Sequence, residues 1–127
     1  MKADLPRGAR LLGADQFEAV YAGGKRIVAP PLHVRALRQP DEAGSARAGA
    51  APGVRSRLGL SVGKRVGRAV QRNRWKRAIR RAFRIHRHLL PAPYDLVVGV
   101  SWDAGVEEVS RVEEAFLSVV KQLCDGK

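Results

Sequence analysis

From Arg57 to Arg87 the chain carries a dense run of basic side chains with no carboxylate among them. Lys64, Arg65, Arg68, Arg72, Asn73, Arg74, Lys76, Arg77 and Arg80 form its centre. Guanidinium and ammonium groups keep their charge across the ordinary pH range and donate N–H bonds, and phosphate oxygens are well matched acceptors. So many donors in so short a stretch point to a polyanion, with the number of contacts mattering more than any single geometry. Asn73 is neutral and suits several tasks: capping a helix start, orienting an arginine, donating to a phosphate, or bonding the local backbone. Arg81 and Arg84 fit either a contact with the polyanion or a solvated surface.

No hydrolytic site carried by the protein is indicated. A metal-dependent nuclease gathers several carboxylates around two ions. Asp95, Asp103, Glu107, Glu108, Glu113 and Glu114 lie outside the basic run, mostly on an amphipathic C-terminal segment, where helix capping and solubility explain them. His33, His86 and His88 have no evident partners for acid–base work, and His86 falls on the apolar side of its segment, as a satisfied core histidine would. No catalytic residue and no metal ligand is assigned.

The chain has 127 residues and a net charge of +12. That length suits one domain with one modest core. A hydrophobic fraction of 45% is ordinary for a folded protein, so the charge is not accompanied by the apolar depletion of a disordered chain. The charge is uneven: residues 1–42 hold seven Lys/Arg and five Asp/Glu, residues 43–94 fourteen and none, and residues 95–127 three and seven. The middle block would repel itself unless an anion neutralised it. No apolar run approaches the ~20 residues of a membrane span. The N-terminus lacks a secretory pattern, and Cys124 alone cannot form an internal disulfide, so a soluble, cytoplasmic protein without membrane association is expected.

The elements that would position these residues follow from periodicity. Phe17, Val20 and Tyr21 mark a short helix over 14–22, with Asp15 as its N-cap and Gly23-Gly24 as its stop. Residues 32–38 and 57–62 alternate as strands, and 94–100 is apolar throughout, as a central strand buried on both faces would be. Residues 39–56, rich in Ala, Gly and Pro, read as a long flexible connection. From about Arg68 to His88, a turn of ~100° per residue gathers Trp75, Ala78, Ile79, Ala82, Phe83 and Ile85 within an arc of ~160°. Lys76, Arg77, Arg80, Arg81, Arg84 and Arg87 fill the opposite arc. Ser110 and Glu113 read as a capping box opening a last helix through Leu123. The whole is a single α+β domain, an α-β-β-β-α-β-α sandwich with its small sheet covered mainly on one face and the basic helix as a crossover.

The ordered set Gly59-Leu60-Ser61-Val62, Lys64-Arg65, Gly67, Ala69-Val70, Arg72-Asn73-Arg74, Lys76-Arg77 and Arg80 to Phe83 closely resembles the signature of the bacterial ribonuclease P protein family. The resemblance extends to the Phe17/Tyr21 helix and to Asp95-Leu96-Val97-Val98. It implies a ribosomal protein S5 domain 2-like fold with a left-handed crossover. It also implies an RNA-binding subunit beside a catalytic ribonuclease P RNA, which removes the 5′ leader from precursor tRNA. The RNA, with Mg²⁺ in the holoenzyme, would perform the hydrolysis; the protein alone would bind no cofactor and need no obligate protein partner. On this reading Lys64, Arg65, Arg68, Arg72, Asn73, Arg74, Lys76, Arg77 and Arg80 bind RNA, and Phe17, Tyr21 and Arg35 are candidates to stack on leader bases. Phe17 and Tyr21 also fit a core role, and Arg35 stands where the family often has an aromatic residue. Where the family often has a basic residue after the third predicted strand, this chain has Ser101-Trp102-Asp103. A ribosomal or general RNA-chaperone protein without leader preference, and a self-sufficient nuclease, are the competing readings.

Overall fold

The computed structural model describes residues 14–39, 56–101 and 105–125. Residues 40–55 of the expected connection, and Trp102 and Asp103, lie outside them. In chain order the elements are α1 (Ala14–Gly23), β1 (Lys25–Ala29), β2 (Leu32–Arg38), β3 (Arg57–Ser61), α2 (Ala69–His86), β4 (Tyr94–Val100) and α3 (Val112–Cys124). Short 3₁₀ turns occupy Lys64–Val66, Arg87–Leu89 and Val106–Arg111. The expected α-β-β-β-α-β-α order holds.

The four strands form one sheet in the order β1-β2-β4-β3. β1 and β2 form a hairpin, β2 and β4 are antiparallel, and β3 and β4 are parallel, so α2 is the crossover between the parallel pair. The position of β4 between β2 and β3 explains its unbroken apolar run. Leu96, Val98 and Val100 join the core beneath α2 and α3, whereas Val97 faces the other way and packs with Val20, Phe17 and Leu37 under α1. On the main core side Trp75, Ile79, Ala82 and Phe83 of α2 meet Val112, Phe116, Val119, Val120 and Leu123 of α3. Phe83 and Phe116 touch edge to face, with ring centres 6.2 Å apart.

Several local expectations change. β1, which periodicity left unplaced, has only Ile27 and Ala29 buried, and its pairing with β2 identifies it better than its own pattern does. Asp15 stands within the first turn of α1 instead of capping it. Ile85 is 38% exposed: it borders an open cavity between α2 and the start of α3 instead of being packed in the core. The capping before α3 lies earlier than Ser110: the Gly105 N–H donates to Glu108 Oε2 at 3.1 Å, and Ser110 Oγ donates to Glu107 O. Glu113 is thereby free of a capping task and its Oε2 lies 2.7 Å from His86 Nε2. His86 is thus half-buried in a pair that ties α2 to α3, and not enclosed in the core.

One polar cluster holds the parallel pair in register. Asp95, directly opposite Arg57, accepts from Arg57 Nε at 2.9 Å and from Arg57 Nη2 at 2.6 Å, and its Oδ1 also accepts from Gln39 Nε2 at 2.9 Å. The hydrogen bond to Asp95 raises the Arg57 pKa above its ordinary value against the opposing effect of burial, so the guanidinium stays charged. Because Arg57 is partly solvated, Asp95→Ala is expected to cost about 1–3 kcal/mol, below the figure for a fully buried pair. A lower urea midpoint with an unchanged m-value would show this; an unchanged midpoint would deny the cluster a role in stability.

Candidate functional site

The basic residues are placed by apolar neighbours. Val62 is buried at the end of β3 and Val66 packs against the core, so the turn between them is anchored on both sides and pushes Lys64 and Arg65 into solvent. Gly67 then reverses the chain at φ +148°, a conformation open to glycine, and a β-carbon there would collide with the Gln71 side chain. Gln71 instead accepts the Arg68 N–H at 2.9 Å, satisfying one donor before the first turn of α2.

Arg72 is half-buried and its Nε donates to Gly67 O at 3.2 Å. One edge of its guanidinium therefore fastens the turn to the helix. Asn73, Arg74 and Arg77 are exposed, and Lys76 and Arg80 are half-buried. The helix separates its cations into stripes. Arg74, Arg77, Arg81 and Arg84 face a cavity of about 750 Å³ between α2 and the start of α3, with Ala78, Ala82, Ile85, Val109 and Val112 also lining it and Glu113 the one acidic residue among the described lining residues. Arg87 folds back over the Phe83 ring, 5.8 Å from its centre. Sequence periodicity puts Arg77, Arg81, Arg84 and Arg87 opposite the core, with Arg72 and Arg74 outside that arc; the division of these arginines between turn-fastening, cavity-lining and ring-covering depends on where α3 and the turn lie.

The second candidate surface is the sheet face beside α1. Phe17 and Tyr21, equivalent by spacing, separate here. Phe17 is half-buried against Val20, with Val97 and Leu37 in the same cluster, whereas Tyr21 is 45% exposed. The Arg35 guanidinium lies 5.7 Å from the Tyr21 ring centre, and its Nη1 donates to Tyr21 O at 3.4 Å. Tyr21 and Arg35 thus form a flat cationic and aromatic pair. They border a cavity of about 270 Å³ together with Arg26, His33, Ser61, Val97 and Gly99.

Arg26 is not singled out by the sequence, His33 enters there only as a histidine without an acid–base partner, and Ser61 only within the Gly59-Leu60-Ser61-Val62 set. The register explains their presence: Arg26 pairs with Arg35, His33 with Gly99, and Ser61 also with Gly99. Strand alternation from Arg35 could have suggested His33; Arg26 and Ser61 required knowledge of which strands are neighbours. The described residues contain no group of three or more His, Cys, Asp or Glu able to hold a metal ion. Nor do they contain a helix long and apolar enough to cross a membrane.

The chain as a whole can be compared with known proteins. A family model described as Ribonuclease P matches residues 5–124. The ribonuclease P protein component of Halorhodospira halophila is 37% identical over 133 residues, covering 99% of this chain and 99% of its own length. That of Desulfovibrio desulfuricans is 33% identical over 121 residues, covering 94% of this chain and 85% of its own. The RNase P protein structure from Thermotoga maritima superimposes with a TM-score of 0.68 and 26% identity, over 89% of this chain and 96% of that one. The basic turn and helix, the mixed sheet that carries them and these matches along nearly the whole chain agree, and the chain belongs to the ribonuclease P protein component family.

Proposed function

We propose that this chain is the RNA-binding subunit of a bacterial ribonuclease P, in which the RNA partner hydrolyses the phosphodiester bond and the protein holds the 5′ leader of precursor tRNA. The reading is supported above all by the sheet face, where an exposed tyrosine, two arginines and a serine hydroxyl border one cavity with no carboxylate among its described lining residues. Such a surface suits a single-stranded RNA, whose bases stack on flat groups and whose phosphates accept N–H bonds. β3 runs from this face into the Lys64–Val66 turn and then α2, so the second basic surface is joined to the first through a short anchored segment. In this reading the turn and α2, with Lys64, Arg65, Arg68, Asn73, Arg74, Lys76, Arg77 and Arg80, meet the catalytic RNA. Arg72 keeps that surface in place while its remaining N–H groups point to phosphate.

The division of labour has a mechanistic purpose. A groove that grips the leader strengthens binding of precursor but not of product, which lacks the leader, so turnover is not held back by product affinity. The cations also screen phosphate repulsion where leader and catalytic RNA converge. In this reading the magnesium ion is held by the RNA.

Reconstitution with a bacterial ribonuclease P RNA at low magnesium tests the reading: added protein should stimulate 5′ leader removal. In the same holoenzyme, Tyr21→Ala should weaken precursor binding by about five- to 150-fold, the worth of one stacked base, while mature tRNA affinity is unchanged. Equal losses for both RNAs would favour the leader-indifferent chaperone reading, and absence of stimulation would sink the proposal.

A further inference from the structure

His33 occupies an unusual place on the sheet face. It is directly opposite Gly99 in the antiparallel β2–β4 register. A β-carbon on residue 99 would collide with Cε1 of the His33 ring and come within 2.9 Å of both ring nitrogens. The imidazole therefore leans across from β2 and occupies the space that a side chain on β4 would fill. The absent side chain at 99 is what permits this placement, and substitution there would displace the ring. Ser61 of β3 also pairs with Gly99, so its hydroxyl stands on the far side of the same gap. The cavity they share with Arg26, Arg35 and Tyr21 is about 270 Å³, room for one nucleotide and not for a folded RNA element. Its lining offers cations, a hydroxyl and two flat rings, and among the described residues no carboxylate competes for the donors.

From this geometry we propose that His33 is a nucleotide-contacting residue, and that the His33–Gly99 pair makes a pocket for one leader nucleotide. The base lies against the imidazole, and its phosphate accepts from Arg26 and Arg35. The Tyr21–Arg35 pair contacts the neighbouring nucleotide, so the groove reads the leader as discrete positions and not as a uniform charged track. His33 supplies a π-face that accepts any base, while the nitrogens at the ring edge make the contact sensitive to the base presented. This inference rests on the leader-groove reading above.

The test uses holoenzyme assembled from this protein and a bacterial ribonuclease P RNA, with precursors carrying a single abasic nucleotide at successive leader positions. With unaltered protein, removal of the base at one position next to that sensed by Tyr21 should weaken binding by about five- to 150-fold. In His33→Ala that position should become indifferent, with mature tRNA affinity unchanged. His33→Phe should restore the sensitivity, whereas His33→Leu, which keeps bulk but no ring, should not; comparison of those two remains decisive if the alanine variant folds poorly. An undiminished abasic response in both His33→Ala and His33→Leu would overturn the assignment of His33 while leaving the leader groove intact. Absence of any responsive position in the unaltered holoenzyme, with precursor bound no better than mature tRNA, would instead remove the groove reading itself and this proposal with it.

Discussion

Replacing Arg74, Lys76 and Arg77 together by alanine is expected to reduce the salt dependence of RNA binding sharply. Each cation that neutralises a phosphate contributes ~0.7–0.9 to the slope of log affinity against log salt, so three should flatten it by roughly 2–3. Between roughly 50 and 200 mM salt, the unaltered protein should then lose about 15- to 60-fold more affinity than the variant does. The choice of residues follows from the structure. Arg74 and Arg77 are exposed and Lys76 is half-buried, so their heads can reach a ligand without disturbing the core. Arg72 is left out because its Nε bond to Gly67 would make any loss a mixture of turn disruption and missing charge. Titration of the ribonuclease P RNA at several salt concentrations measures the slope; an unchanged slope would mean that this face of α2 does not meet phosphate.

Trp75→Ala is the second large effect, expected to cost about 3–5 kcal/mol of a total stability of ~5–15 kcal/mol for a domain of this size. Trp75 is fully buried on the inner face of α2, in the core with Ile79 and Phe83, each equally enclosed. The collapse that could fill such a space is limited by the β3–β4 register on one side and by α3 on the other. The consequence extends to binding, because the inner face of α2 is what orients its outer cations. Val70, 71% exposed near the start of the same helix, is the control: Val70→Ala should move the stability by no more than about 0.5 kcal/mol. Urea denaturation followed by circular dichroism compares them, and a Trp75→Ala loss under about 1 kcal/mol would mean that α2 is not anchored through this residue.

Helix-level organisation was legible because amphipathicity is local. Ile79 and Phe83 kept in phase with the arginines as the periodicity required, and the apolar run of β4 announced a strand covered on both faces. The departures come where one residue's role depends on a distant neighbour. Ile85 belongs to the apolar arc by angle, yet it borders an open cavity at the start of α3 and stays partly exposed. By pattern His86 belongs to the apolar arc and Glu113 to a capping box, yet the two meet across the α2–α3 interface. Asp95 lies among apolar residues, and only the parallel register reveals Arg57 as its partner.

By itself the sequence determined that this chain folds around one amphipathic basic helix, that its charge seeks a polyanion, and that the Arg72-Asn73-Arg74 segment resembles one family. These are properties of neighbouring residues and of their order. Only the tertiary structure decided that Phe17 is spent on packing while Tyr21 is presented, that Arg72 fastens a turn, and that His33 crosses to the vacant side of Gly99. The placement of Arg35 beside Tyr21 and of His33 over Gly99 depends on which strands are neighbours and in what register, and a one-residue shift of β2 would turn Arg35 and His33 to the opposite face, whereas the Arg72 bond depends on how the Gly67 turn meets α2.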